Sequence, residues 1–196
     1  MRVSPDIRLL FSPAVTYGDM RLNESARWWL WRPAMLLLVL GCTLSLTIGG
    51  RVMPRLVADA VLSFAFVPIV EIAAFAVVFR TGRSSLPFRR GVDLHFAGNG
   101  PWLLWIILVG ALSVALPPRT FLRWMDPLLL SALLPAVWCA VIDFQLSRVV
   151  LQRSVARAAG DVVLLRLIAW PALIACYGAI GMWTQVLPTI APWLFP

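Results

Sequence analysis

Three ionisable residues lie inside apolar stretches of this chain, where a charge is hard to keep. Glu71 lies about 12 Å from the nearer, arginine-flanked end of its stretch if the segment is helical. Asp143 and Arg166 occupy the same half of two later stretches. A charged side chain near the centre of a bilayer costs on the order of a few kcal/mol, so such groups turn inward, pair or become neutral. We therefore predict a buried polar cluster of Glu71, Asp143 and Arg166.

A less specific interpretation of these three residues stays open. Glu71 could form an ion pair that only locks two helices, while Asp143 and Arg166 extend their polar ends to the membrane surface. Pro68, which removes a backbone donor one turn before Glu71, favours a kink and a polar pocket there. Asp59 lies too far along the stretch for a continuous proton path with Glu71, so ion or proton transport ranks below packing.

His95, the only histidine, follows Asp93 by two residues and could take part in acid–base chemistry. No nucleophile or metal-binding group accompanies the pair, so an interfacial loop histidine is expected. The chain has no Walker loop, no G-x-S-x-G elbow and no H-E-x-x-H motif. The three cysteines fall inside apolar stretches without the spacing of a zinc site. We expect no enzyme, no catalytic residue, no metal and no cofactor.

The elements that must position these residues are five apolar stretches. Hydrophobic residues make up 61% of the 196-residue chain and charged residues only 13%, which indicates that a bilayer is the solvent. We predict an all-α bundle of five transmembrane helices, at residues 29–50, 56–79, 101–118, 127–146 and 162–187. The third has only about 16 residues between its prolines, near the lower limit for a span, so it could be re-entrant.

Arginine supplies every basic residue and gives the bundle its predicted orientation. Twelve arginines precede the first stretch or lie in the second and fourth connections, against four in the other two connections. Positive charge is retained on the cytoplasmic side, so the N-terminus is predicted to be cytoplasmic and the C-terminus outside. The alternation of arginine-rich and arginine-poor connections along the chain also favours five spans. Since topology accounts for the net charge of +8, no nucleic-acid partner is expected.

Two flanking regions suggest partners. Residues 1–28 form a predicted cytoplasmic or interfacial segment before the membrane domain of residues 29–187, and residues 188–196 form an apolar outer tail. Arginines in the cytoplasmic connections are predicted to contact anionic headgroups, although topology alone could explain them: Arg83, Arg89, Arg90, Arg153 and Arg157. The tail residues Trp193, Leu194 and Phe195 are predicted to contact a protein partner, a second copy of the chain or the outer headgroups.

The layout of the chain resembles that of the Yip family of membrane proteins. The resemblance rests on residues 10–17 (LFSPAVTY), Trp31-Arg32-Pro33, residues 83–90 (RSSLPFRR), Gly100-Pro101, Trp138 and the turn at residues 148–159. It implies a non-enzymatic five-span protein without catalytic residues. Eukaryotic members are linked to Rab GTPases and vesicle trafficking, but the composition here is typical of bacteria, so that role is not carried over.

These observations predict a non-enzymatic protein of the bacterial inner membrane that acts as a scaffold or accessory subunit of a membrane assembly. The alternative is a small transporter or lipid-handling protein built around the cluster of Glu71, Asp143 and Arg166.

Overall fold

The structure is a computed structural model that describes residues 4–22, 29–81 and 86–194, without the side chains of 21, 22, 118, 122, 125, 180 and 182–194. The regular elements of this part of the chain are all helical. They are α1 Pro5–Phe11, α2 Pro13–Leu22, α3 Trp31–Gly49, α4 Pro54–Phe64, α5 Phe66–Arg80, α6 Phe88–Ala97, α7 Gly100–Ala115, α8 Pro118–Arg123, α9 Met125–Ser131, α10 Leu133–Gln145, a π-helical turn Leu146–Val150, and α11 Val155–Leu194.

Four helical segments of the described chain are long and apolar enough to cross a membrane: Trp31–Gly49, Pro54–Arg80, Asp126–Val150 and Val155–Ala179. A fifth exists if α6 and α7, which meet at a bend of 41°, together make one span. Large apolar side chains such as Leu62, Leu134 and Ile174 are more than two-thirds exposed along these segments. An apolar surface of this extent is suited to lipid. The all-α prediction is confirmed for the described residues, and four or five of their helical segments could span a membrane.

Prolines divide the apolar segments into shorter helices. Proline has no N–H to donate in a hydrogen bond to the carbonyl four residues earlier, and its ring clashes with that carbonyl. Correspondingly, α4 ends at Phe64, four residues before Pro68, and α6 ends at Ala97, four before Pro101. The same spacing places the end of α9 four residues before Pro135. Pro171 is an exception, because α11 continues through it.

One end of the bundle gathers the segments that are dense in arginine. Arg157 at the start of α11 donates to the Thr81 carbonyl after α5 at 3.0 Å. Arg32 at the start of α3 is ion-paired with Asp93 of α6. We call this the arginine-rich end, and it comprises α1, α2, α6, the π-turn and the adjoining ends of α3, α5 and α11. The arginine-dense segments that alternate along the sequence therefore meet at one end of the fold.

The N-terminal helices α1 and α2 are part of the core of this end. Leu9 and Tyr17 are fully buried, and the Tyr17 hydroxyl donates to the Leu94 carbonyl at 3.1 Å. Burial raises the pKa of Tyr17 well above its ordinary value, so the phenol stays neutral and keeps this proton for the hydrogen bond. The indole of Trp138 donates to the Leu10 carbonyl at 3.1 Å. The two short helices thus hold α6 and α10 in place.

Candidate functional site

The centre of the arginine-rich end is α6, a short helix that other helices enclose. Its residues from Arg90 to Ala97 are all buried, although half of them are polar, charged or glycine. At Gly91 an added Cβ would lie 3.0 Å from the Phe79 ring, so a larger residue would require this ring to move by a few tenths of an ångström. The expectation of an interfacial loop around His95 was wrong. His95 is helical, only 2% exposed, and inside the bundle.

Asp93 is the first of three buried aspartates among the described residues, with Asp143 and Asp161. Its Oδ1 is ion-paired with Arg32, and its Oδ2 accepts from Arg90 Nη1 at 2.6 Å. Arg32 also reaches Asp6 of α1 at 2.8 Å, and Arg90 donates to the Met20 carbonyl of α2. Two arginines and two carboxylates make this Asp93 cluster neutral. Asp93 therefore holds α1, α2, α3 and α6 together, and no hydrogen bond joins it to His95.

Asp143 of α10 is the second buried carboxylate, and it joins two further helices. Its Oδ1 lies 3.0 Å from His95 Nδ1, and its Oδ2 is ion-paired with Arg166 of α11. The imidazole stacks on Phe75 at 4.9 Å between ring centroids, with 14° between the planes. The side chains of Asp143 and Arg166 are only 6% and 20% exposed. They are paired with each other inside the bundle.

Glu71 of α5 is close to this pair but is bonded differently. Its Oε2 accepts a hydrogen bond from Asn99 Nδ2 at 3.2 Å, and Asn99 lies at the bend between α6 and α7. Glu71 forms no ion pair with any arginine or histidine in the described part of the chain. Of the three residues in the predicted cluster, Asp143 and Arg166 form an ion pair. Glu71 and Arg166 line the same cleft without an ion pair between them.

The cleft has a volume of about 210 Å³ and lies between α3, α5, α7 and α11. Its polar groups belong to Glu71, Asn99 and Arg166. The remaining lining is apolar or aromatic: Leu36, Leu37, Leu40, Val67, Trp102, Ile106, Trp170 and Leu173. Since an apolar cavity of about 150 Å³ can hold benzene, the cleft accommodates a ring-sized organic group.

A second, much smaller cavity lies on the other side of Asp143. It measures about 10 Å³ and is lined by His95, Asp143, Ser147 and Asp161 among apolar residues. A water molecule needs at least about 10–15 Å³ by this measure, so the cavity is close to the size of one water. His95 Nε2 is buried with no protein partner in the described residues.

The arginines predicted to contact lipid differ in their surroundings. The guanidinium of Arg90 is buried against Asp93, which does not favour the predicted headgroup contact. Arg153 is mostly covered and lies 3.5 Å from Asp161, and Arg157 lies 3.4 Å from the same carboxylate with its side chain about half exposed. Arg89 is exposed and faces outward.

Two other predicted sites lie outside what the structure describes. Arg83 and Phe195 are not among the described residues, and nothing is known of the side-chain positions of Trp193 and Leu194, whose backbone continues α11. The predicted lipid contact of Arg83 and the predicted partner contact of the tail stay predictions.

Sequence reasoning missed the roles of His95, Asn99 and Asp161. The segment around His95 carries helix boundary signals, with Pro87 before it and Gly98-Asn99-Gly100-Pro101 after it, which could have predicted α6. Asp161 follows Arg157 by one helical turn, the spacing of an intrahelical ion pair. The burial of α6 has no local signal, because it results from packing by α2, α3 and α5.

The fold and the cleft define a helical membrane protein with a candidate ligand site among buried ionisable groups. Comparison with protein-family models, curated proteins and solved structures found no match for the chain. The function must therefore be inferred from the site itself.

Proposed function

We propose that this protein binds a small amphiphile in the cleft and is a non-enzymatic transporter or lipid-handling protein. The observation that carries the proposal is the presence of Glu71, Asn99 and Arg166 in a cleft with otherwise apolar walls. Ionisable groups at membrane depth are expensive and commonly mark a ligand or ion path. If these polar groups only stabilised the fold, packed side chains would fill the space beside them. Instead, the groups line a cleft that is large enough for a ligand.

The bonding of the buried groups favours binding over catalysis. The Nδ1 atom of His95 is occupied by Asp143, and the imidazole face is covered by Phe75. The Cys139 thiol points to the Gly98 carbonyl at 3.5 Å and is buried. A nucleophile activated by a base needs a hydrogen bond between the two, and among the described residues no thiol or hydroxyl is hydrogen-bonded to His95, whose Nε2 has no protein partner.

A pair of neighbouring substitutions on α11 tests binding in the cleft. Leu173→Phe would fill the cleft that Leu173 lines, whereas Ile174→Phe adds the same ring on an exposed face of the same helix. After gentle extraction, mass spectrometry should find a tightly bound amphiphile with the wild type and with Ile174→Phe but not with Leu173→Phe. Equal retention by both variants, or none by the wild type, would reject the proposal.

The length of α11 supports a scaffold or accessory subunit as the second candidate. α11 has 40 residues, which span about 60 Å, whereas the hydrocarbon core of a bilayer is about 30 Å thick. Its helical backbone continues from the span-like segment Val155–Ala179 to Leu194. Removal of residues 184–196 should then abolish assembly with a partner or a second copy while the cleft still binds its ligand. Unchanged assembly would remove this candidate.

The bacterial inner membrane, a cytoplasmic N-terminus and a Yip-like layout are also part of the proposal. The cytoplasmic N-terminus is supported by the gathering of the arginine-dense segments at one end of the bundle, since positive charge is retained in the cytoplasm. Arg89 and Arg157, which are exposed there, are the proposed contacts to anionic headgroups.

A further inference from the structure

The charges around the cleft indicate which kind of amphiphile it would accept. Five carboxylates of the described arginine-rich end each have an arginine partner: Asp6, Asp19, Asp93, Asp143 and Asp161. Glu71, which lies about one turn deeper than the Phe75 ring beside α6, has only the neutral amide of Asn99. The Asn99 amide donates to one lone pair of the Glu71 carboxylate but does not balance its negative charge. An ionised Glu71 therefore needs a cation from outside the protein.

Arg166 does not meet this need, although it lines the same cleft. Its Nη2 is bound to Asp143, which also holds His95. When ionised, Glu71, Asp143 and Arg166 together carry one net negative charge; a protonated His95 would offset it, but the His95 Nδ1 lies against Asp143 and not against Glu71. An anionic ligand would have to compete with Asp143 for Arg166 and would be repelled by Glu71. The electrostatics of the cleft therefore oppose an anion and favour a cation.

Two tryptophans add a second, independent feature that suits a cation. Trp102 of α7 and Trp170 of α11 line the cleft from different helices. Indole rings attract ammonium groups through their faces, and aromatic walls with a carboxylate are the usual surroundings of quaternary ammonium ligands. Trp102 is held by an edge-to-face contact with Trp105, at 5.9 Å between ring centroids. The aliphatic residues of α3 then cover the apolar part of such a ligand.

We propose that the ligand of the cleft is an apolar organic ammonium ion, with Glu71 as its counter-ion and Trp102 and Trp170 as its aromatic walls. The inference rests on the proposed function, because it names the chemical class of the amphiphile. The volume of about 210 Å³ limits the buried part to a ring or a short chain with its ammonium group.

Three probes of nearly equal shape test the sign of the charge. Benzyltrimethylammonium is the cation, neopentylbenzene replaces its nitrogen by carbon and is neutral, and phenylmethanesulfonate is an anion of similar size. Each is titrated into the full-length protein in detergent micelles, with protein-free micelles as the blank. The cation should bind at least about tenfold more tightly than the neutral probe, the effect of one favourable charge contact, and the anion should bind most weakly.

Substitutions then assign the effect to Glu71. Glu71→Gln should remove the preference for the cation, whereas Asp59→Asn, in the same membrane segment but outside the cleft lining, should keep it. Trp170→Leu serves as a second variant if Glu71→Gln does not fold. It should weaken binding of the cationic probe more than binding of the neutral probe.

The outcomes separate this inference from the proposed function. Equal binding of cation and neutral probe, or tightest binding of the anion, would overturn the ammonium assignment and leave a ligand-binding cleft. Binding of none of the three would overturn both. A preference for the cation that survives in Glu71→Gln would overturn the role of Glu71.

An ammonium group can come from a free lipophilic amine or from a lipid headgroup. Short-chain phosphatidylethanolamine carries both an ammonium and a phosphate. If it displaces benzyltrimethylammonium from the wild type, the ligand is a lipid headgroup. If it does not displace the probe, the ligand is a free amine. Either result keeps the ammonium class.

Discussion

Asp93 and Glu71 are two acidic residues near the same short helix, and their surroundings differ in charge balance. Asp93 is 1% exposed and receives two guanidinium groups, which are themselves bonded to Asp6 and to the Met20 carbonyl. Glu71 is less enclosed, receives one amide and lines a cleft. The difference separates a carboxylate that holds the fold from one that is available to a ligand.

Asp143 lies between these extremes. It is as buried as Asp93 and has a charged partner, but that partner, Arg166, also lines the cleft. A change at Asp143 should therefore affect both stability and ligand binding, whereas changes at Asp93 and Glu71 should each affect mainly one of them.

The largest expected effect comes from Asp93→Asn. The substitution leaves Arg32 and Arg90 without a shared buried carboxylate, and breaking a buried ion pair costs about 3–5 kcal/mol. The measurement is the free energy of unfolding in mild detergent. Asp19→Asn is the matched control, because its pair with Arg8 is exposed and should contribute less than about 1 kcal/mol. Similar losses in the two variants would refute the structural role of Asp93.

Asp143→Asn should have the next largest effect. Arg166 would lose the one carboxylate partner that it has among the described residues, and because its side chain is partly exposed, about 2–3 kcal/mol of stability should be lost. The free positive charge of Arg166 should also weaken binding of the ammonium probe. Lower stability with unchanged probe affinity would mean that Arg166 is not electrostatically coupled to the cleft.

A smaller effect is expected at the bend between α6 and α7. A Cβ at Gly98 would lie 2.8 Å from Ile142 Cγ2 and 3.0 Å from the Tyr17 hydroxyl. Gly98→Ala should therefore cost about 1–3 kcal/mol through overpacking. Gly160→Ala, in α11 with open space around it, should instead stabilise by about 0.5–1 kcal/mol. If both variants unfolded alike in denaturant titrations, the close packing at the bend would be in doubt.

The membrane helices could be predicted from the sequence because apolar length is a local property. Four proposed stretches overlap the four span-like segments, and the short third stretch corresponds to α7. Pro68 was expected to open its helix, and α4 does end one turn earlier. Asp143 and Arg166 were expected to meet because they lie at similar depth. The partners of Asp93 and Glu71 could not be predicted, since they depend on how α6 packs between distant helices.

The smallest change in stability is expected for Glu71→Gln. The amide keeps a hydrogen-bonding group toward Asn99 and removes an uncompensated charge, so the free energy of unfolding should stay within about 1 kcal/mol of the wild type or increase. Denaturant unfolding in micelles checks this value. A loss as large as that of Asp93→Asn would mean that Glu71 also holds the fold.

The central claim is that Glu71, unlike Asp93, is free to bind a cationic ligand. The most direct test is the shift in unfolding midpoint that benzyltrimethylammonium produces in the wild type and in Glu71→Gln. A ligand present at 100 times its dissociation constant stabilises the folded state by about 2.7 kcal/mol. The account predicts a clear upward shift for the wild type and none for Glu71→Gln at the same concentration. Equal shifts in the two proteins would contradict it.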